Sequence, residues 1–288
     1  MAEKDLVEKK LEDHNDVFAD MLNTLLFKKK FLHEKRLLSG PTESIYKSEQ
    51  GRLHDQRRDT FKDYRGGASF IIAAFGIENQ SGYDRTMPVR ILGYDSAGYK
   101  AQTEQKRRKL HPVITVVLNF SNRRWGKVRS LRDLMGDIPK ELDPYFQDYR
   151  IHVFDIAFLT DEVIDSFQSD FKVVARFFKN RRLGKPALTD DTALDYPAEI
   201  AELLAVFSGE KEYIDMIPAI KLAEQKGERV TMCWVAQELI DKGEKRGENL
   251  MATLMQRLFA DGRNEDAQKA VNNEQDRKKF YREYGLID

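Results

Sequence analysis

The stretch FIIAAFGIENQSG, residues 70–82, decides how the remainder of the chain is read. It begins as an apolar run suited to a buried strand, yet that run ends on a carboxylate, Glu78, with an amide, Gln80, two positions on. Side chains two apart along a strand point to the same side, so Glu78 and Gln80 share a face. Such an ending fits a strand that has surfaced. It also fits a strand that delivers an acid to a metal site.

Upstream, RLHDQRRDTFKDYR (52–65) has the polar texture of an edge strand and Gly66 and Gly67 mark a turn, which predicts an antiparallel hairpin with the apolar strand. Spacing alone leaves the register open. A two-residue turn at the glycines sets Asp55 opposite Glu78, whereas a longer turn sets Asp59 there, and both aspartates have the parity to share its face. Adjacent carboxylates repel unless something positive sits between them. A hard divalent ion such as Mg2+ supplies that charge through carboxylate and water oxygens, and it suits phosphodiester hydrolysis by lowering the pKa of a bound water.

Further out, Val7, Leu11, Phe18, Met21, Leu22, Leu25 and Leu26 recur at helical spacing, predicting one long amphipathic helix with Asp16 and Asp20 on its opposite side. A helix is predicted over 87–105, with Pro88 in its first turn, and VITVVLNF (113–120) reads as a central strand covered on both faces. Another strand is predicted in YRIHVFDIAFL (149–159). The order helix, hairpin, helix, strand, strand predicts an α/β domain with a mixed sheet. From about Asp161 the pattern is helical, so an α/β domain over 1–185 and a helical C-terminal region over 186–288 are expected.

The 288 residues carry 33% charged residues and a formal net charge of zero, so the whole molecule offers no basic field for nucleic acid. Local clusters occur at KKK (28–30), KRRK (106–109), RRWGKVR (123–129) and KNRR (179–182), and only their convergence on one groove would make a phosphate-binding surface. Trp125, inside one of them, is expected to anchor its loop. No run approaches the roughly 18 to 20 apolar residues of a membrane span, and the opening MAEKDLVEKK lacks the apolar core of a secretion signal. A cytoplasmic location is therefore expected. A single cysteine, Cys233, excludes an internal disulfide, and the five histidines show no zinc spacing. Phosphate-loop and GxSxG patterns are absent.

An aspartate, then E-x-Q closing a buried strand, with an acid-bearing helix before and a helix and an apolar strand after, resembles the PD-(D/E)xK nuclease superfamily. HNDVFADMLN (14–23), QRRDTFKDY (56–64), GIENQSGYDRTMPVRILGYD (76–95) and HPVITVVLNF (111–120) are similar to its recombination-promoting nuclease and transposase (Rpn-like) branch. ELIDKGEKRGENLMATLMQRLFADGR (238–263) resembles the tails of that group. The resemblance implies a restriction-endonuclease-like core and a metal-dependent DNA endonuclease. It implies Asp59 and Glu78 as metal ligands and Gln80 in the place of the superfamily lysine, which orients the attacking water and offsets negative charge. Asp16 matches the acid that many members aim at the metal. The cofactor expected is Mg2+, with Mn2+ or Ca2+ as alternatives, and the partner DNA. Glutamine carries no cation, so a catalytically weak or inactive DNA-binding or protein-interaction module is the alternative. A homodimer through the C-terminal helices is compatible with both.

Overall fold

The computed structural model describes residues 2–40, 43–47, 53–57, 59–66, 71–105, 109–185 and 191–287. The chain opens with α1 (Ala2–Glu12) and α2 (Asn15–Leu22), which a π-helical turn (Asn23–Phe27) extends. The one long helix expected here is therefore broken at Asp13 and His14. Lys62 explains the break: its Nζ donates to the Asp13 carbonyl at 2.6 Å and to Asn15 Oδ1 at 2.7 Å. An ammonium at the carbonyl end of α1 is favoured by the helix dipole.

Five strands follow: β1 (Leu37–Ser39), β2 (Glu43–Lys47), β3 (Leu53–Arg57), β4 (Thr60–Arg65) and β5 (Ile71–Gln80). The single polar strand expected over 52–65 is two strands with different neighbours. Among the described residues β3 pairs only with β2, placing Asp55 opposite Ile45, whereas β4 pairs antiparallel with β5 from Tyr64–Ala73 to Thr60–Ile77. Continuing that register by one residue brings Asp59, and not Asp55, beside Glu78. Gly67 and Phe70, part of the expected turn and strand, lie outside the described residues.

α3 (Met87–Glu104) then leads to β6 (Val113–Asn119), which runs parallel to β5, and β7 (His152–Asp155) runs parallel to β6. The sheet order is β1-β4-β5-β6-β7, antiparallel at one side and parallel at the other. This mixed sheet flanked by helices has the restriction-endonuclease-like α/β architecture. β6 is buried along almost its whole length, as an inner parallel strand must be. α3 buries Met87, Ile91, Tyr94 and Asp95 at helical spacing, packing around Val117, Trp125 and Ile151. Asp95 is tolerated there because Thr115 Oγ1 and the Tyr149 hydroxyl both donate to it.

The alternation of β4 and β5 gives the sheet two different faces. Thr60, Lys62, Phe75, Ile77 and Asn79 look toward α1 and α2, where Lys62 also lies over the Phe18 ring. Phe61, Asp63, Glu78 and Gln80 look the other way, toward α3.

After β7 come α4 (Asp161–Ser166), α5 (Phe171–Leu183), α6 (Pro197–Ser208), α7 (Glu212–Asp215) and α8 (Ile217–Gln225). The chain forms two compact units, residues 1–231 and 232–288, so the boundary expected near residue 185 falls inside the first. The reason is aromatic packing: Phe178 of α5 lies 4.9 Å from the rings of both Phe120 and Phe207, the last on α6. Asp170 adds polar ties, accepting the backbone N–H groups of Asp195 and Tyr196.

The second unit consists of α9 (Met232–Ala260), α10 (Asn264–Asn272) and α11 (Glu274–Glu283). Leu254, Leu258, Ala267, Ala270 and Phe280 make its core. Arg263 clasps it from outside through Glu283 and Asp266. Cys233 is half-buried. No helix of the described residues is long and apolar enough to cross a membrane.

The shared aromatic core predicts that a chain ended at Lys185 loses its cooperative thermal transition, while one ended at Thr231 keeps it. Circular dichroism melts of the two distinguish this from a boundary at 185.

Candidate active site

The last residues of β5 carry the polar groups. Glu78 is 2% exposed, and a carboxylate so deeply placed requires a countercharge. Arg90, on the first turns of α3, supplies it by donating to Glu78 Oε1. The same guanidinium donates to Asp84 Oδ2 at 3.0 Å and to the Tyr94 hydroxyl at 3.2 Å. Burial works against its charge, but Glu78 more than offsets this and the pKa of Arg90 rises. Tyr94 is pushed up by burial and then by Glu78. Burial opposes ionisation of Asp84 too, yet the Thr86 hydroxyl and amide and Arg90 hold it below its ordinary value. Asp84 thereby fixes the loop between β5 and α3.

Gln80 lies on the same face and donates its Nε2 to Glu78 Oε1 at 3.2 Å. Asp59, immediately before β4, accepts the backbone N–H of Asn79 at 2.7 Å. The structure thus brings Asp59, Glu78 and Gln80 together at one end of the β4–β5 pair, on the α3 side by strand parity.

Asp16 is elsewhere. Its Oδ1 accepts the Tyr196 hydroxyl at 2.9 Å, and it borders a cavity of about 880 Å³ edged also by Asp20, Lys28 and Asp195. The N-terminal acid that closes on this end of the sheet is Glu12. It accepts Asn79 Nδ2 at 2.8 Å and Thr60 Oγ1 at 2.9 Å, from the face opposite Glu78. Asp16 and Glu12 both belong to the layer on that opposite face, because α1 and α2 pack where Lys62 and Asn79 point. Burial first, then the Asp59 charge, push Glu12 up to about 8, and burial pulls Lys62 down to about 8.

The polar groups at this end of the sheet therefore include two residues that motif spacing did not single out, Glu12 and Arg90. Arg90 stands in the MPVR segment, whose position one turn into a helix after the strand is its only sequence signal.

Two carboxylates and an amide are a donor set of the type Mg2+ accepts, since it binds through one or two carboxylates and keeps several waters. Among the described residues, no group of three or more His, Cys, Asp or Glu side chains is placed to hold a metal ion. Asp59 and Glu78 are of the donor type that such an ion takes, with water making up its shell, and Arg90 already holds Glu78 Oε1.

Residues 63–187 match the family described as "Putative transposase, YhgA-like". The match includes Glu78, Gln80 and Arg90 and begins just after Asp59. No curated protein and no solved structure matches the chain.

Two outcomes follow from these geometries. Arg90→Ala leaves a buried carboxylate without its cation and should cost about 3 kcal/mol in urea unfolding, whereas the same change at Arg132, exposed in its pair with Asp143, should cost under about 1 kcal/mol. Between pH 4.5 and about 8 the folded state keeps a proton on Glu12 that the unfolded state has released. Stability should therefore fall as pH rises through that window, and Glu12→Gln should flatten the dependence in melts recorded with a chelator.

Proposed function

We propose, for a chain whose residues 63–187 match the YhgA-like putative transposase family, that the protein is a metal-dependent DNA endonuclease that hydrolyses phosphodiester bonds. The observation that supports this best is the pairing of Asp59 with Glu78 on one face at the end of the β4–β5 pair, beside Gln80. Asp59 and Glu78 would hold Mg2+, or Mn2+ in its place. When bound, the ion supplies a lowered water pKa and stabilisation of the anionic transition state. Gln80 would orient the attacking water through its amide, which can both donate and accept but brings no charge. Arg90 makes good that missing charge. Held also by Asp84 and Tyr94, its guanidinium stays at the site when Glu78 is otherwise engaged, and its fork geometry suits a phosphodiester oxygen. Asp16 has no part in this set, because it bonds to Tyr196 in the opposite layer.

A second reading has an observation of its own. Arg90 already neutralises Glu78, so the fold needs no ion to bury that carboxylate. A non-catalytic DNA-binding or protein-interaction module would keep the pair permanently closed.

Purified protein with supercoiled plasmid and Mg2+ should produce nicked circles, and Glu78→Gln and Asp59→Asn should each slow nicking by at least about 100-fold. Intact plasmid after incubation with folded wild-type protein would reject the nuclease. Calorimetric Mn2+ titration separates the two readings, since the module takes up no ion. A homodimer through the C-terminal helices, which would bring two sites to opposite strands, is part of the proposal, and sedimentation against a chain ended at Thr231 tests it.

A further inference from the structure

Two basic stretches far apart in sequence, RRWGKVR (123–129) and KNRR (179–182), meet in the fold at one aromatic ring. The Arg124 guanidinium carbon lies 4.5 Å and that of Arg182 4.4 Å from the centroid of Phe158, the last residue of the 3-10 turn that follows β7. Two cations braced on one ring are about a Debye length apart at most, so they repel each other and act together on any anion.

Neither arginine is placed by chance. Arg182 donates its Nε to the Ala157 carbonyl at 2.8 Å. Arg124 is set by its neighbour Trp125, which is buried, donates its backbone N–H to Asp155 at 2.8 Å and its Nε1 to the Val128 carbonyl at 3.1 Å. Gly126 closes the loop: a Cβ there would come within 2.5 Å of the Tyr83 ring, which itself meets Trp125 edge-on. Tyr83 belongs to the loop that Asp84 and Arg90 hold, so the basic loop is docked against the loop of the candidate site.

Charge pairing distinguishes these cations from several arginines near them in the fold. Arg90, Arg129, Arg132 and Arg176 are each paired with a carboxylate. Among the described residues, Arg123, Arg124, Lys127 and Arg182 have no such pair, and Arg123, Arg124 and Lys127 are exposed. Cations stacked on an aromatic ring keep their N–H edges available for bidentate contact with phosphate.

The sheet register between the candidate site and the end of β7 also suits a strand of nucleic acid. Gln80, Asn119 and Asp155 are register partners across β5, β6 and β7. Two strand intervals of about 4.8 Å span about 10 Å, or about three nucleotides at roughly 3.4 Å each. Phe158 lies three residues beyond Asp155.

We propose that Arg124 and Arg182, braced on Phe158, form a sequence-independent phosphate seat for the DNA strand that crosses the end of the sheet from the candidate active site. The seat rests on the nuclease reading for the identity of the strand. With two guanidinium groups against it, Phe158 serves as their brace and not as a platform for a base.

The test is fluorescence anisotropy of a labelled DNA oligonucleotide titrated with the full chain in EDTA, across a series of NaCl concentrations. Wild type should bind with a marked salt slope, and Arg124→Gln/Arg182→Gln should lower the slope by about 0.7 for each charge removed on a single strand, or about 0.9 on a duplex. Arg124→Lys/Arg182→Lys should keep most of the slope while losing the affinity of the bidentate contact. Arg132→Gln, whose partner is Asp143, should change neither. If the double glutamine variant melts early, Arg124→Gln alone carries the test with half the change. An unchanged slope, absence of wild-type binding, or displacement by polyglutamate as effective as by unlabelled DNA would overturn the proposal, the last in favour of an acidic protein partner. Plasmid nicking measured in parallel keeps the two readings apart: nicking with an unchanged slope removes the seat alone, and binding with the predicted slope but no nicking removes the nuclease alone.

Discussion

A carboxylate shut inside the protein at the end of a central strand must have a cation brought to it, and the pairing of Glu78 with Arg90 is that requirement met. The Glu78 side chain is 3% exposed and that of Arg90 37%, so the pair has a dry end and a wet end. Through the dry end, α3 is pinned to β5. Through the wet end, Asp84 is drawn in and the loop between strand and helix takes its shape. One turn further along α3, Tyr94 joins the same guanidinium, and next to it Asp95 ties the helix to β6 and to Tyr149.

The opposite face of the same strands solves a similar problem differently. There the acid is Glu12 and no guanidinium of the described residues reaches it, so it is held by Asn79 and Thr60 and keeps its proton well above the usual carboxylate range. Asn79 links the two sides, since its backbone N–H meets Asp59 while its side chain meets Glu12. Asp59 is thus fixed by the main chain of the very strand that carries Glu78. The buried ammonium of Lys62 completes this layer by joining the break between α1 and α2 to the sheet.

A single strand therefore carries an ion-paired acid toward α3 and a hydrogen-bonded amide toward α1, purely because successive side chains alternate. The chemistry proposed for the protein belongs to the first face, where charge, an amide and the end of the central strand come together. The basic loop after β6 is packed against the loop of the proposed site: Gly126 sits close to the Tyr83 ring, which also meets Trp125 edge-on.

Local physics made part of this legible from the residues. β-branched runs identified β5 and β6, Pro88 marked the start of α3, and period two put Glu78 and Gln80 on one face. Packing between distant segments decided the rest. It selected Asp59 over Asp55 because β3 found β2 as its neighbour, and it moved the unit boundary to residue 231 because Phe178 and Phe207 share a core. It also turned Asp16 toward Tyr196 and Glu12 toward the sheet, and brought Arg90 onto Glu78 and two separate arginines onto Phe158. Periodicity reports which way a side chain points from its own strand or helix; which group it meets there depends on how the elements are stacked, and that is a property of the assembled chain.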